Sequence, residues 1–174
     1  MKRGFSLIEI FVMVGIIGII MVIAITNFAA MQRRARINAA AQAIAQDIRQ
    51  FRERSLSGSI NYRVKAIDSR SYEVEKVIRP DSTLILTRRL AETTGGNIRF
   101  GVVGNVVSVP PEANNPSPPA SGFDFLPTGV LEINPRGGAT RGVIYINDGF
   151  QNYAVGINTL GRVRVYRYSN ATWN

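Results

Sequence analysis

The chain has no cysteine and no histidine among its 174 residues. The first absence excludes disulfides and thiolate metal sites. The second removes imidazole ligands, histidine general bases and the serine-histidine-aspartate arrangement. Acidic residues are few, 12 against 21 lysines and arginines, and they are scattered along the chain. No loop gathers the several oxygen ligands that a calcium ion takes. No Gly-x-Ser-x-Gly turn and no Walker-type phosphate loop accompanies the serines and threonines. Carboxylates that do pair, such as Glu73 and Glu75, share one side of a predicted strand, where a solvated face is their ordinary role. Composition thus points away from an enzyme and implies no cofactor and no metal. No internal repeat is present.

Charge is missing altogether from Ile10 to Phe28, nineteen residues in a row. Taken from Phe5 to Phe28, a helix would be about 36 Å long, enough for a hydrocarbon core of about 30 Å. A secretory signal peptide also pairs basic residues with an apolar run, but this run exceeds the usual length and holds Glu9 near its start. A plain anchor helix leaves Glu9 unexplained. A carboxylate inside lipid costs on the order of 3 kcal/mol even on lenient scales, so it calls for a partner, such as a free amino terminus.

The hexapeptide Gly4-Phe5-Ser6-Leu7-Ile8-Glu9 resembles the processing site of type IV pilins and of the pseudopilins of type II secretion. The resemblance implies that a prepilin peptidase cuts between Gly4 and Phe5 and N-methylates Phe5. Glu9, then the fifth mature residue, would register the subunit among other pilin or pseudopilin subunits. It also implies a cytoplasmic amino terminus and a single pass through the bacterial inner membrane, followed by entry into a filament. Charge alone does not give this orientation: Lys2 and Arg3 precede the run, whereas Arg33, Arg34 and Arg36 follow it. Many family members have proline where this chain has Thr26, so a sharp proline kink is not expected here. Gly15 and Gly18 are weak points or flat patches for helix approach.

Beyond residue 28 the apolar residues become a stripe. Ile37, Ala41, Ile44, Ile48 and Phe51 recur at spacings of three and four, and Gly58 is a candidate helix stop. After Gly58, β-branched and aromatic runs predict strands at Tyr62 to Ile67, Tyr72 to Ile78, Leu84 to Leu90, Ile98 to Val109, Val143 to Ile146, Tyr153 to Ile157 and Arg162 to Tyr168. Their spacing suggests antiparallel hairpins. Residues 110–121 hold five prolines and read as an exposed loop. The expected organisation is a leader over 1–4, a transmembrane or filament-core helix over 5–28, an amphipathic helix over 29–57 and a β-rich extracytoplasmic domain over 58–174. The fold class is α+β, with a long amino-terminal helix packed on an antiparallel sheet.

The formal charge of +9 falls to +7 if Lys2 and Arg3 leave with the leader. From Ile133 to Asn174 five arginines face one acid, Asp148. In the last predicted strand, period two puts Arg162, Arg164, Tyr166 and Tyr168 on one face and Val163 and Val165 on the other. Arginine beside tyrosine can grip phosphate and stack on bases, so Arg162, Arg164 and Arg167 are candidate DNA contacts; an ordinary solvated strand face, which commonly carries arginine, is the alternative reading. Phe125-Leu126-Pro127-Thr128-Gly129, Gly142-Val143-Ile144-Tyr145-Ile146 and Gly161-Arg162-Val163-Arg164 together resemble the carboxy-terminal region of the GspH/FimT group of minor pseudopilins and minor pilins. That resemblance implies a GspH-like minor pseudopilin of a type II secretion pseudopilus. The alternative is a FimT-like minor pilin, in which a Gly-Arg-x-Arg element takes part in DNA binding. The missing calcium loop and disulfide both favour a minor over a major subunit.

Overall fold

A computed structural model describes residues 7–78, 81–90, 92 and 95–174, the side chains of 23–27 excepted. The first element is a single helix, α1 (Leu7–Gly58). Ten strands follow: β1 (Asn61–Ala66), β2 (Ser71–Ile78), β3 (Asp81–Arg89), β4 (Arg99–Phe100), β5 (Phe123–Phe125), β6 (Leu131–Ile133), β7 (Gly142–Asn147), β8 (Asn152–Ile157), β9 (Val163–Ser169) and β10 (Thr172–Trp173). The chain divides between Ala35 and Arg36 into two units.

The first unit is helical from Leu7 onward, and its side chains from Leu7 to Val22 are all exposed. Leu7, Ile8, Ile10, Phe11 and Val14 are each more than half exposed, with Glu9 the sole charge in the stretch. Among the described residues no helix is long and apolar enough to cross a membrane. The expected span over 5–28 reaches beyond the described side chains at both Phe5 and 23–27.

The second unit is α+β, as the sequence predicts. Ile37, Ala41, Ile44, Ile48 and Phe51 are all buried, joined by Ala40 and Ala45, so the stripe is the core face of the helix. Gly58 ends α1, but the left-handed residue is Ser59 (φ 51°), and the Ile60 amide closes back on the Ser55 carbonyl at 3.3 Å. Two antiparallel sheets share the core with this face. The first has strand order β3-β2-β1-β6, and the second β10-β9-β8-β7-β4 with β5 also pairing β7. Tyr62, Val64, Tyr72, Val74, Leu131 and Ile133 come from the first sheet, and Ile144, Ile146, Val155, Ile157 and Val163 from the second. Asp47, buried on the helix, accepts the Tyr72 hydroxyl and lies 3.0 Å from Arg88 Nε, which ties α1 to β2 and β3. Burial, then the Asp47 carboxylate, pushes the Tyr72 phenol well above its usual range.

The predicted strand from Ile98 to Val109 is corrected to the two-residue β4 followed by irregular chain. Gly101 still donates its amide to the Tyr145 carbonyl at 2.9 Å, but beyond it backbone groups of this segment find side chains. Val103 exchanges both backbone bonds with the Asn152 carboxamide at 2.8 Å each. Residues 102–115 then cross the outer face of the second sheet as a strap.

Candidate interaction surface

The outer face of the second sheet carries Val143, Tyr145, Ala154 and Tyr166, which cluster with Val102 and Ala113 of the strap and with Trp173. Pairing of β9 with β10 sets Trp173 opposite Tyr168, their ring centroids 5.0 Å apart, and Tyr145 stacks on the same indole at 5.7 Å. The strap fastens to this face by directional bonds. Trp173 Nε1 donates to the Ser108 carbonyl at 2.9 Å, the Val107 amide donates to the Tyr168 hydroxyl at 3.2 Å, and the Tyr166 hydroxyl donates to Glu112 Oε1 at 3.1 Å. Buried Asp124 accepts the amides of Asn114 and Asn115 and the Asn115 carboxamide. Arg141 Nη2 donates to the Pro111 carbonyl at 2.6 Å. The proline-rich segment expected to be exposed is therefore seated at its first half, and most of residues 108–115 are at least half-buried.

This seating decides what the candidate DNA residues can do. Arg162 and Arg164 are exposed, on the same face of β9 and of the turn that leads into it. Tyr166 and Tyr168 share that face, but their hydroxyls and rings are engaged by the strap and Trp173. Base stacking on them is closed in this conformation. Burial is also the main reason the Tyr166 phenol is raised, with Arg164 opposing it. Arg167 pairs with Tyr153 and, by strand alternation, lies on the inner face with Val163 and Val165. Its Nε is buried and has no hydrogen-bond partner, so Arg167 does not join the other two. The structure brings together Arg162 and Arg164 only.

Two arginines on α1 meet Arg162 instead. Arg49 Nη2 donates to the Val163 carbonyl at 3.2 Å, and Arg52 Nε to the Gly137 carbonyl at 2.7 Å. They form the helix side of an open recess of about 530 Å³ whose other wall is Leu160, Gly161, Arg162 and Val163, with Glu53 at its margin. The β8–β9 turn that builds that wall is set by Asn158, whose side-chain oxygen accepts the amides of Leu160 at 3.1 Å and Arg162 at 2.9 Å. Gly161 has φ +70°, and a Cβ there would sit 2.6 Å from Arg52 Nε and 2.4 Å from the Gly137 carbonyl oxygen. The glycine of the Gly-Arg pair thus makes room for a helix arginine. Sequence reading missed Arg49 and Arg52, since only the docking of α1 on β9 brings them to Arg162.

Of the amino-terminal candidates, Gly4 and Phe5 lie outside the described residues. Glu9 stands in the first turns of α1, exposed among apolar neighbours.

No family model matches the sequence, and no curated protein matches it. Solved structures do. Two structures of the minor pseudopilin EpsH from the type II secretion system of Vibrio cholerae match with TM-scores of 0.50 and 0.51, at 14% and 15% identity. Each match covers 75% of this chain and 95% of EpsH. The chain has the fold of a GspH-like pseudopilin. What that fold likeness covers is an amino-terminal helix packed on an antiparallel β domain.

Proposed function

We propose that the chain is a minor pseudopilin, GspH-like, that enters a type II secretion pseudopilus through the amino-terminal part of α1. The observation that carries this is the helix itself. Its stretch from Leu7 to Val22 exposes apolar side chains around the whole circumference, while Ile37 to Phe51 of the same helix form the core face of a β domain. A helix that is apolar all round needs cover on every side, which lipid supplies before assembly and neighbouring helices supply in a filament. The likeness to EpsH, a minor pseudopilin, supports the same role. In this reading a prepilin peptidase cleaves after Gly4 and methylates Phe5, the precursor resides in the inner membrane, and Glu9 registers the helix against a neighbour's amino terminus. The part played is structural, not catalytic.

Co-expression with a prepilin peptidase is expected to give a product that begins at methylated Phe5. An intact Met1 in the presence of active peptidase would overturn the proposal. Glu9→Ala is expected to insert into membranes normally and to lose filament entry, so its normal incorporation would remove the role given to Glu9.

A second reading rests on the exposure of Arg162 and Arg164: a FimT-like minor pilin that contacts DNA. Phosphate contact by these two predicts a duplex affinity that falls steeply between low and physiological salt. It also predicts loss of that binding when both become alanine. Salt-independent or absent binding by the full-length chain would dismiss this reading.

A further inference from the structure

The recess between Arg49 and Arg52 of α1 and the Leu160–Arg162 turn is not used by the assembly helix. Three arginines line it, and among the described residues none of the three is ion-paired; Arg49 and Arg52 spend one N–H each on a backbone carbonyl. The recess that these side chains line has a volume of about 530 Å³, far more than one ion needs. Guanidinium forks fit carboxylates in bidentate geometry. At the rim, Leu160 is 72% exposed, an apolar side chain held out beside the cations by the Asn158 turn. Arginine next to an exposed leucine is interface chemistry for a protein, not for a phosphate backbone. A rigid duplex also meets a concave wall poorly, whereas a flexible side chain can enter it. A second copy of a chain with a net charge of +9 brings repulsion.

We propose that this recess docks an acidic segment of a different filament subunit, with a glutamate or aspartate between the guanidinium groups and an apolar neighbour against Leu160. This partner chemistry rests on the reading of the chain as a filament subunit.

The test has two arms, both with the full-length chain in non-ionic detergent. In the first, fluorescence anisotropy follows a labelled peptide of alternating glutamate pairs and leucine, with a glutamine-for-glutamate peptide as its control. The glutamate peptide is expected to bind and the glutamine peptide not to. Arg162→Glu, whose side chain is exposed and makes no described bond, is expected to keep its melting temperature and to weaken binding at least about tenfold. Arg49→Gln is expected to weaken it less. Equal binding by the wild-type and Arg162→Glu chains, or no binding up to about 1 mM peptide, overturns the proposal. So does duplex DNA that displaces the peptide and is itself lost on Arg162→Glu, because the recess would then be a phosphate site. In the second arm, wild-type and Arg162→Glu chains are co-assembled with the other pseudopilins of the same system. Reduced incorporation of the variant supports the docking role, and equal incorporation overturns it. If the wild-type chain itself fails to incorporate, the filament reading fails, and the peptide arm still reads the recess independently.

Discussion

On its inner face the second sheet lays Ile144, Ile146, Val155 and Ile157 into one core with Ile37, Ile44, Ile48 and Phe51, whereas on its outer face Tyr145, Tyr166, Tyr168 and Trp173 lie under a strap of irregular chain. The inner cover is mostly apolar and non-directional: many side chains share it, and directional bonds such as that of the Tyr72 hydroxyl to Asp47 are the exception. The outer cover is held by named bonds, from Trp173 to Ser108, Tyr166 to Glu112 and Asn152 to Val103. Proline limits the freedom that the strap loses when it settles, since its unfolded ensemble is already restricted. Even so, buried polar atoms remain unpaired there, among them Glu112 Oε2 and the Tyr145 hydroxyl. Burial pushes the Tyr145 phenol well above its usual range, with the Asp124 charge adding to it. The contrast is between a face that specifies stability and a face that specifies one arrangement of a loop.

The sharpest way to break that contrast is to open each face in turn. Phe51→Ala empties a fully buried ring site that also touches Tyr62 at 5.2 Å, and is expected to cost about 3–5 kcal/mol in urea denaturation, with the whole domain unfolding as one. Trp173→Ala removes two ring contacts and the bond to Ser108, and is expected to cost about 2–3 kcal/mol. Its signature is local: hydrogen exchange should quicken at residues 103–113 and stay slow in β7 and β8. A uniform rise across the sheet would show that the two faces are one cooperative cover. Tyr166→Phe leaves both oxygens of Glu112 without a donor and is expected to cost about 1–3 kcal/mol. No change on calorimetry would mean that the strap does not depend on this bond.

The smallest effect lies away from both faces. On the outer side of the first sheet Lys65 bridges Glu73 at 2.7 Å and Glu75 at 2.8 Å. Lys65 is raised by its hydrogen bonds to the two carboxylates, and Glu75 is lowered chiefly by its bond to Lys65. A depressed carboxylate stabilises the fold above its ordinary range and loses that contribution as pH falls through the lowered value. A raised lysine keeps its contribution below its ordinary 10.5 and loses it as pH climbs past. Melting curves should therefore show a shallow decline at each extreme, and Lys65→Met should flatten both. Because the pair is largely solvent-screened, the change at neutral pH should stay below about 1 kcal/mol. A larger one would assign this cluster a share in the core.

Legibility in the sequence followed periodicity. The α1 stripe repeats over four turns, and β7 to β9 carry dense β-branched runs, so both are plain from the order of residues alone. β5, β6 and β10 have only three, three and two residues, too few for a period to show. The strap reads as a strand because Val102, Val103, Val106 and Val107 are β-formers, while nothing local tells that their partners are the side chains of Asn152 and Tyr168. At the candidate site, alternation alone separates Arg167 from Arg162 and Arg164. It cannot bring in Arg49 and Arg52, which stand more than a hundred residues earlier and arrive only through tertiary packing.

Gly161, folded beneath the Arg52 side chain, has a bearing on how descent and role can be told apart. Substitution there would displace a helix arginine whatever the recess binds, so selection for the frame alone is enough to keep a glycine before Arg162. Sequences can hold the pair while gaining or shedding a ligand. Among relatives with this turn, the glycine tracks shared architecture, and divergence of occupation should be sought in the three arginines and in the residue at the position of Leu160.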